Sequence, residues 1–334
     1  FAVSDMIAAG ASVKIGIKLG EKKEEEASNI FSIALLLMFI IDSIFMILSL
    51  VFAKDIIFIL IKDKELATLS YRFAYVFILA LPIIAPFFAL DNYLRLCGKA
   101  NMSMWINIAV SILNIILDAI LIGYFKLGIE YAALCSALSM SIGTLIFLYP
   151  FIMKKVTLRF TKPKVDVKEI LYIIYNGSSE FLSNISNSIM AIITNGFLLY
   201  YGGPVGVAAF SIVMYIDALI SPILFGMIDS ILPVISYNYG AKDYKRITQF
   251  FKITCIVGFT ISILTMIIIF IFPDFLVGLF SSKSDVDIIY MGKIALLLSA
   301  PSYLFKWFTM TVGSFLTGLE KATESIVVML VESV

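Results

Sequence analysis

The chain has 334 residues, 61% of them hydrophobic and 15% charged, with a mean hydropathy of +1.01 and a formal net charge of +1. Soluble domains are about half apolar and a quarter charged, so this is a polytopic membrane protein, and its near-zero charge, with no basic arm, offers nucleic acid no footprint. Histidine is absent, and Cys97, Cys135 and Cys255 lie in apolar stretches without metal or disulfide spacing, which excludes zinc sites, histidine catalysis and a disulfide framework.

Apolar runs long enough to cross about 30 Å of hydrocarbon as helices recur along the whole chain. Ten are expected, at about 1–17, 29–52, 69–96, 102–124, 131–153, 169–200, 206–238, 249–272, 289–317 and 325–334, the first and last cut short. Alternating strands of barrel type are missing, so helices must satisfy the backbone and the fold is expected to be an all-α integral membrane bundle. The chain starts at Phe1 rather than Met and stops inside an apolar run, and it reads as a fragment. Residues 1–17 carry Asp5 and Lys14 and lack a signal-peptide pattern.

Loop cations set the orientation, because Lys and Arg near the spans are retained in the cytoplasm. One alternate set of loops holds fifteen: Lys18, Lys22, Lys23, Arg95, Lys99, six between Lys154 and Lys168, Lys242, Lys245, Arg246 and Lys321. The opposite set holds seven, Lys54, Lys62, Lys64, Arg72, Lys126, Lys283 and Lys293. The first set is therefore expected to face the cytoplasm, including the longest loop, 154–168.

Landmarks recur about 220 residues apart. Gly20 is answered by Gly240, Phe52 by Phe272, Pro82 by Pro301 and Gly98 by Gly318. A repeat of this length is the mark of a duplicated transporter scaffold. An offset of six helices returns the chain to the same side, so the copies are expected to run parallel. The reading is a first lobe at 1–153, a cytoplasmic linker at 154–168 and a second lobe at 169–334, making two six-helix repeats and twelve helices when complete.

Ionisable side chains inside the membrane are costly and mark candidate sites. Asp5, Lys14 and Asp42 have no discriminating context. Asp91 lies four residues before Arg95, a spacing that favours a local structural pair. Asn107, Asn114 and Asp118 share one face of their helix, as do Glu180, Asn184 and Asn187 of theirs, with Thr194 close by. Each stripe reads either as a cation or proton site, with sodium held at Asn114 and Asp118 in one version, or as a polar seam between helices. Asp217 and Asp229 lie twelve apart and point about 120° away from each other. Asp229, four residues before Pro233, is a cavity-lining or a structural position. Pro82, Pro233 and Pro301 can bend their helices.

Several phrases resemble the multidrug and toxic compound extrusion (MATE) transporters: Asn92-Tyr-Leu-Arg95 with Gly98, Asn114-xxx-Asp118, Asn176-Gly-Ser-Ser-Glu180, and Leu232-Pro-Val-Ile-Ser-Tyr-Asn-Tyr-Gly-Ala241 followed by Lys242-Asp243. The resemblance covers essentially the whole chain, as the second to eleventh helix of a twelve-helix fold. It implies cation-coupled (proton or sodium) antiport of amphipathic, often cationic compounds by alternating access, in the cell membrane and as a monomer, without a cofactor. It also implies that Asn114 with Asp118, and Glu180, are coupling or drug-binding positions. Some members carry an acidic residue in the tenth helix, where this chain has Lys306; at a depth close to that of Glu180, Lys306 is expected either to pair with it or to snorkel along a water-filled cavity. No phosphate loop, Asp-rich diphosphate motif or catalytic Ser/His pair is present, so an enzyme is not expected and an ion gradient must supply the energy. A lipid-linked sugar flippase of the same superfamily would need several Arg or Lys in its cavity, whereas the intramembrane charges here are mainly acidic. A channel or a non-transporting membrane protein is the other alternative.

Overall fold

The computed structural model describes residues 1–281 and 286–333, so Lys283 and Val334 fall outside the described residues. Among those described, every regular element is helical. Among the described residues, seven segments are long and apolar enough to cross a membrane. One of them, Val167–Gly240, is broken at Gly203 (φ 60°, ψ −162°), a backbone conformation that favours glycine, and it holds the two expected spans at 169–200 and 206–238. The short expected spans at the two ends lie in helices at Ala2–Gly20 and Ala322–Ser333. The chain divides into two compact units, Phe1–Gly177 and Ser178–Val334.

In the first unit α1 (Ala2–Gly20), α2 (Glu24–Leu60), α3 (Lys64–Ile84), α4 (Pro86–Leu96), α5 (Ala100–Asp118) and α6 (Ile129–Ile152) are joined by short turns, and α5 continues as a π-helical turn, Ala119–Tyr124. Pro82 and Pro86 flank the break between α3 and α4. The core between α2, α4 and α6 is aromatic: Phe31 stacks on Phe151 at 4.8 Å and meets Tyr93 edge-on at 5.6 Å, while Phe87 meets Phe147 edge-on at 5.2 Å. Edge and offset ring pairs add about 0.5–1.5 kcal/mol each to the area they bury.

The start of α7 (Val167–Gly240) crosses α1 at two glycines. A Cβ on Gly10 would stand 1.9 Å from the Ile173 carbonyl oxygen, and one on Gly177 would stand 1.8 Å from the Met6 carbonyl oxygen. Small residues are what allow membrane helices to approach this closely.

The segment expected to be the inter-lobe linker, 154–168, is held down as a strap. Arg159 N–H donates to Ser28 Oγ (3.2 Å), Thr161 N–H to Ser32 Oγ (3.0 Å) and Lys164 N–H to Asn29 Oδ1 (2.8 Å), all on the first turns of α2. Asn29 Nδ2 returns a bond to the Lys164 carbonyl at 3.1 Å, and Val156 and Leu158 are buried in the aromatic core. Serine and asparagine on α2 thus satisfy a backbone that has no helix of its own.

The second unit comprises the remainder of α7, α8 (Tyr244–Ile271), α9 (Pro273–Gly278), α10 (Val286–Ser299), a 3-10 turn at Ala300–Ser302 that contains Pro301, α11 (Tyr303–Gly318) and α12 (Ala322–Ser333). One apolar core joins Ile212, Val213 and Ile216 of α7 to Ile269, Val277, Leu296 and Tyr303, and a second joins Ile231 and Ile235 to Ile247.

Among the described residues, five helices end in the same reversal. The N–H of Lys22 donates to the Leu19 carbonyl (3.0 Å) and that of Lys23 to the Lys18 carbonyl (2.8 Å); the pattern recurs at Gly98, Lys154, Lys242 and Glu320, each with φ between 54° and 72°. This is the Schellman cap, which satisfies carbonyls left over at a helix end. All five lie on the lysine-rich loops, and Lys22 and Lys242 keep the expected offset. Gly98, however, is matched by Glu320, two residues beyond Gly318, which packs instead against Ile235. The expected Gly98–Gly318 pairing is therefore corrected by the cap geometry.

Candidate functional site

Polar side chains within the apolar helices gather in separate clusters. In the first unit, Asp91 of α4 is 8% exposed and is held from all sides. Arg95 donates to its Oδ2 at 2.5 Å, Asn107 Nδ2 to its Oδ1 at 2.9 Å, and the Ser103 hydroxyl also donates to Oδ1, while Arg95 Nε reaches Ser103 Oγ at 3.2 Å. A buried carboxylate needs this much compensation. The pairing of Asp91 with Arg95 follows from their spacing, but the structure adds Asn107 to it.

Asn107 is thereby separated from Asn114 and Asp118, although all three share a face of α5. Asn114 Nδ2 donates to Ser136 Oγ of α6 at 3.3 Å. Asp118 is half-buried beside the Cys135 thiol, and its Oδ1, sealed from solvent, has no hydrogen-bond partner among the described residues. Immediately after Asp118 the helix changes from α to π winding. Such bulges occur frequently at functional sites, and the wider turn follows directly on the carboxylate. Asp118, Asn114 and Ser136 thus offer oxygens with unused acceptor capacity to a proton or a small monovalent cation.

Asp42 of α2 is 2% exposed, and its Oδ1 accepts a bond from the Ser4 hydroxyl of α1. Lys14 stands over the Tyr172 ring, 3.9 Å from its centroid, a cation–π contact at the glycine crossing. Neither contact is visible in spacing along one helix. A cavity of about 660 Å³ lies elsewhere, on the lysine-rich side, lined by Lys99, Asn101, Tyr149 and Lys155 among others.

In the second unit, Glu180 and Asn184 are half-buried and Asn187 is exposed on the first stretch of α7, and Asp229 is exposed further along it. Glu180 and Asp229 each take part in polar or electrostatic contacts of their own. Of the two arrangements expected for Lys306, pairing with Glu180 is not the one found. Its ammonium donates to both oxygens of Asp217, at 2.9 and 3.1 Å, and to Ser221 Oγ at 2.7 Å. Tyr303 Oη donates to Asp217 Oδ1 at 3.0 Å and Ser221 Oγ to Oδ2 at 2.9 Å. Asp217 and Ser221 are one turn apart on α7, and Tyr303 and Lys306 nearly one turn apart on α11. Sequence reasoning compared Asp217 only with Asp229, from which it points about 120° away, and so gave it no partner. The signals that could have found it are the one-turn spacings Asp217-xxx-Ser221 and Tyr303-xx-Lys306. Among the described residues no three His, Cys, Asp or Glu side chains gather as a metal site.

The family model MatE matches residues 1–120 and 181–334. The multidrug export protein MepA of Staphylococcus saprophyticus is 30% identical over 291 residues, covering 85% of this chain and 62% of its own length. MepA of Staphylococcus aureus strain MSSA476 is 28% identical over 326 residues, covering 96% of this chain and 70% of its own. The chain thus spans less than two thirds of the first of these relatives. Among solved structures, the outward-facing conformation of a multidrug resistance MATE family transporter superposes with a TM-score of 0.92 at 24% identity, over 98% of this chain and 74% of that one. A MOP superfamily transporter from Pyrococcus furiosus gives the same values. Likeness at this identity establishes the multi-pass helical membrane fold.

Proposed function

The chain belongs to the MATE family, and on that premise we propose that it is the greater part of a carrier, not an enzyme, that exports amphipathic and cationic compounds from the cell in exchange for protons or sodium. The multidrug export activity named for its MepA relatives supports the substrate class. The observation that carries the coupling is the sealed, unpartnered Asp118 oxygen beside Asn114 at the start of the π turn. A carboxylate so placed is stabilised when a proton or cation arrives, and the ligand then biases the carrier toward whichever facing state holds it better. Glu180 offers a second carboxylate, in the second unit, for cation or drug. The cell membrane, with the lysine-rich loops inside, and action as a monomer belong to the same reading.

Reconstituted full-length protein tests it. A fluorescent organic cation is expected to accumulate in vesicles only under an imposed pH or sodium gradient, and Asp118→Asn is expected to lose that dependence. Undiminished gradient-driven transport in both Asp118→Asn and Glu180→Gln excludes these carboxylates as the coupling site, and ungated ion flux identifies a channel instead.

A further inference from the structure

The second unit holds a charged constellation for which neither coupling carboxylate accounts. The three N–H bonds of Lys306 are all used, two on the Asp217 carboxylate and one on Ser221. The carboxylate is completed by Tyr303 and Ser221. These acceptors form a socket shaped for an ammonium with three N–H donors, since the distances of 2.7 to 3.1 Å are those of charge-assisted bonds.

The pair is not sealed. Lys306 and Asp217 remain 25% and 31% exposed, and both lie in segments apolar enough to span the membrane. Charge exposed to hydrocarbon is expensive, so the open side of the pair faces water. Water contact also screens the attraction, as it does for surface ion pairs. An ammonium bound at a wet carboxylate is replaceable by another ammonium, because a primary ammonium restores every charge-assisted bond, a secondary or tertiary one keeps at least the bond to the carboxylate, and Lys306 returns to water on its four-carbon stem.

We propose that Asp217, with Ser221 and Tyr303, is a binding site for protonated amines, and that Lys306 is its built-in occupant, which such a ligand displaces. The inference rests on the exporter reading only for its purpose; the site itself is a matter of binding. The ligand it selects carries at least one N–H donor beside an apolar body, which the flanking Tyr303 ring, 5.9 Å from the Lys306 ammonium, would also receive. A quaternary ammonium has charge but no N–H and cannot reproduce the bonds to the carboxylate and the serine.

Calorimetric titration of the purified full-length protein with hexylammonium and hexyltrimethylammonium tests the site without requiring transport. Lys306→Gln removes the competitor and is expected to bind hexylammonium about tenfold more tightly than wild type, with the quaternary probe little changed and the gain lost in the Asp217→Asn, Lys306→Gln double variant. Unchanged affinity, or an equal gain for both probes, overturns the proposal. A second measurement stands if the variants fail to fold: acetylation of Lys306 in the wild-type protein, followed by mass spectrometry, is expected to rise severalfold with the tertiary amine dimethylhexylammonium and not with hexyltrimethylammonium. No rise with either probe overturns the proposal. Amine binding without export refutes the exporter reading and leaves this one intact.

Discussion

Gly10 and Gly177 leave no room for a methyl group, because each faces a backbone carbonyl that cannot swing away. Gly10→Ala therefore forces α1 and the start of α7 apart and is expected to cost on the order of 3 kcal/mol, read as a lowered melting temperature of the full-length protein in detergent. Tyr303→Phe is milder. It removes one bond to a partly exposed carboxylate and is expected to cost about 1 kcal/mol. At this scale legibility depended on the reach of the contact. Arg95 could be assigned to Asp91 because one helical turn separates them, whereas Lys306 meets a carboxylate 89 residues away. Asn107 shared a face with Asn114 and Asp118, but periodicity gives direction around a helix and not the identity of the neighbour across it.

At the scale of the element, the strap from Val156 to Lys164 is held to α2 by Leu158, which is fully buried, and by the serine and asparagine bonds. Leu158→Ala is expected to cost about 2–5 kcal/mol and to expose 159–166 to limited proteolysis. The turn between α1 and α2 responds to pH in both directions. The bond from Lys23 holds the Glu21 carboxyl below its ordinary value, and the bond to Glu26 holds Lys18 above its own. The Glu21 contribution is present above the usual glutamate value and lost as pH falls through the depressed one. That of Lys18 is present below the usual lysine value and lost as pH rises through the raised one. Hydrogen exchange at the amides of Lys22 and Lys23, corrected for its intrinsic pH dependence, is thus expected to be slowest across the neutral range, with a contrast that high salt flattens. Composition announced this loop as charged and linking; it could not announce the strap, because the hydrogen bonds that make it join residues more than a hundred positions apart.

For the whole molecule the orientation is open to a direct test. A single cysteine placed at Lys162 in a cysteine-free full-length protein is expected to react with an impermeant maleimide only from the cytoplasmic side, and one at Lys64 only from outside. Equal labelling from both sides contradicts the orientation read from the loop cations. The all-helical membrane fold and the approximate bounds of its apolar spans were in the sequence itself, because hydrocarbon demands unbroken apolar runs and a backbone satisfied within each helix. The resemblance to the family implied a coupling role for Asn114 and Asp118, which the transport measurements above decide. Only the tertiary structure decided that Asp217 rather than Glu180 holds Lys306, that Asn107 serves Asp91, that the linker is a strap and that Glu320 rather than Gly318 answers Gly98. The physical reason is common to all four. Hydropathy and period are properties of one helix, while the partner of a buried charge or an idle backbone group is chosen by which other helix packing brings beside it.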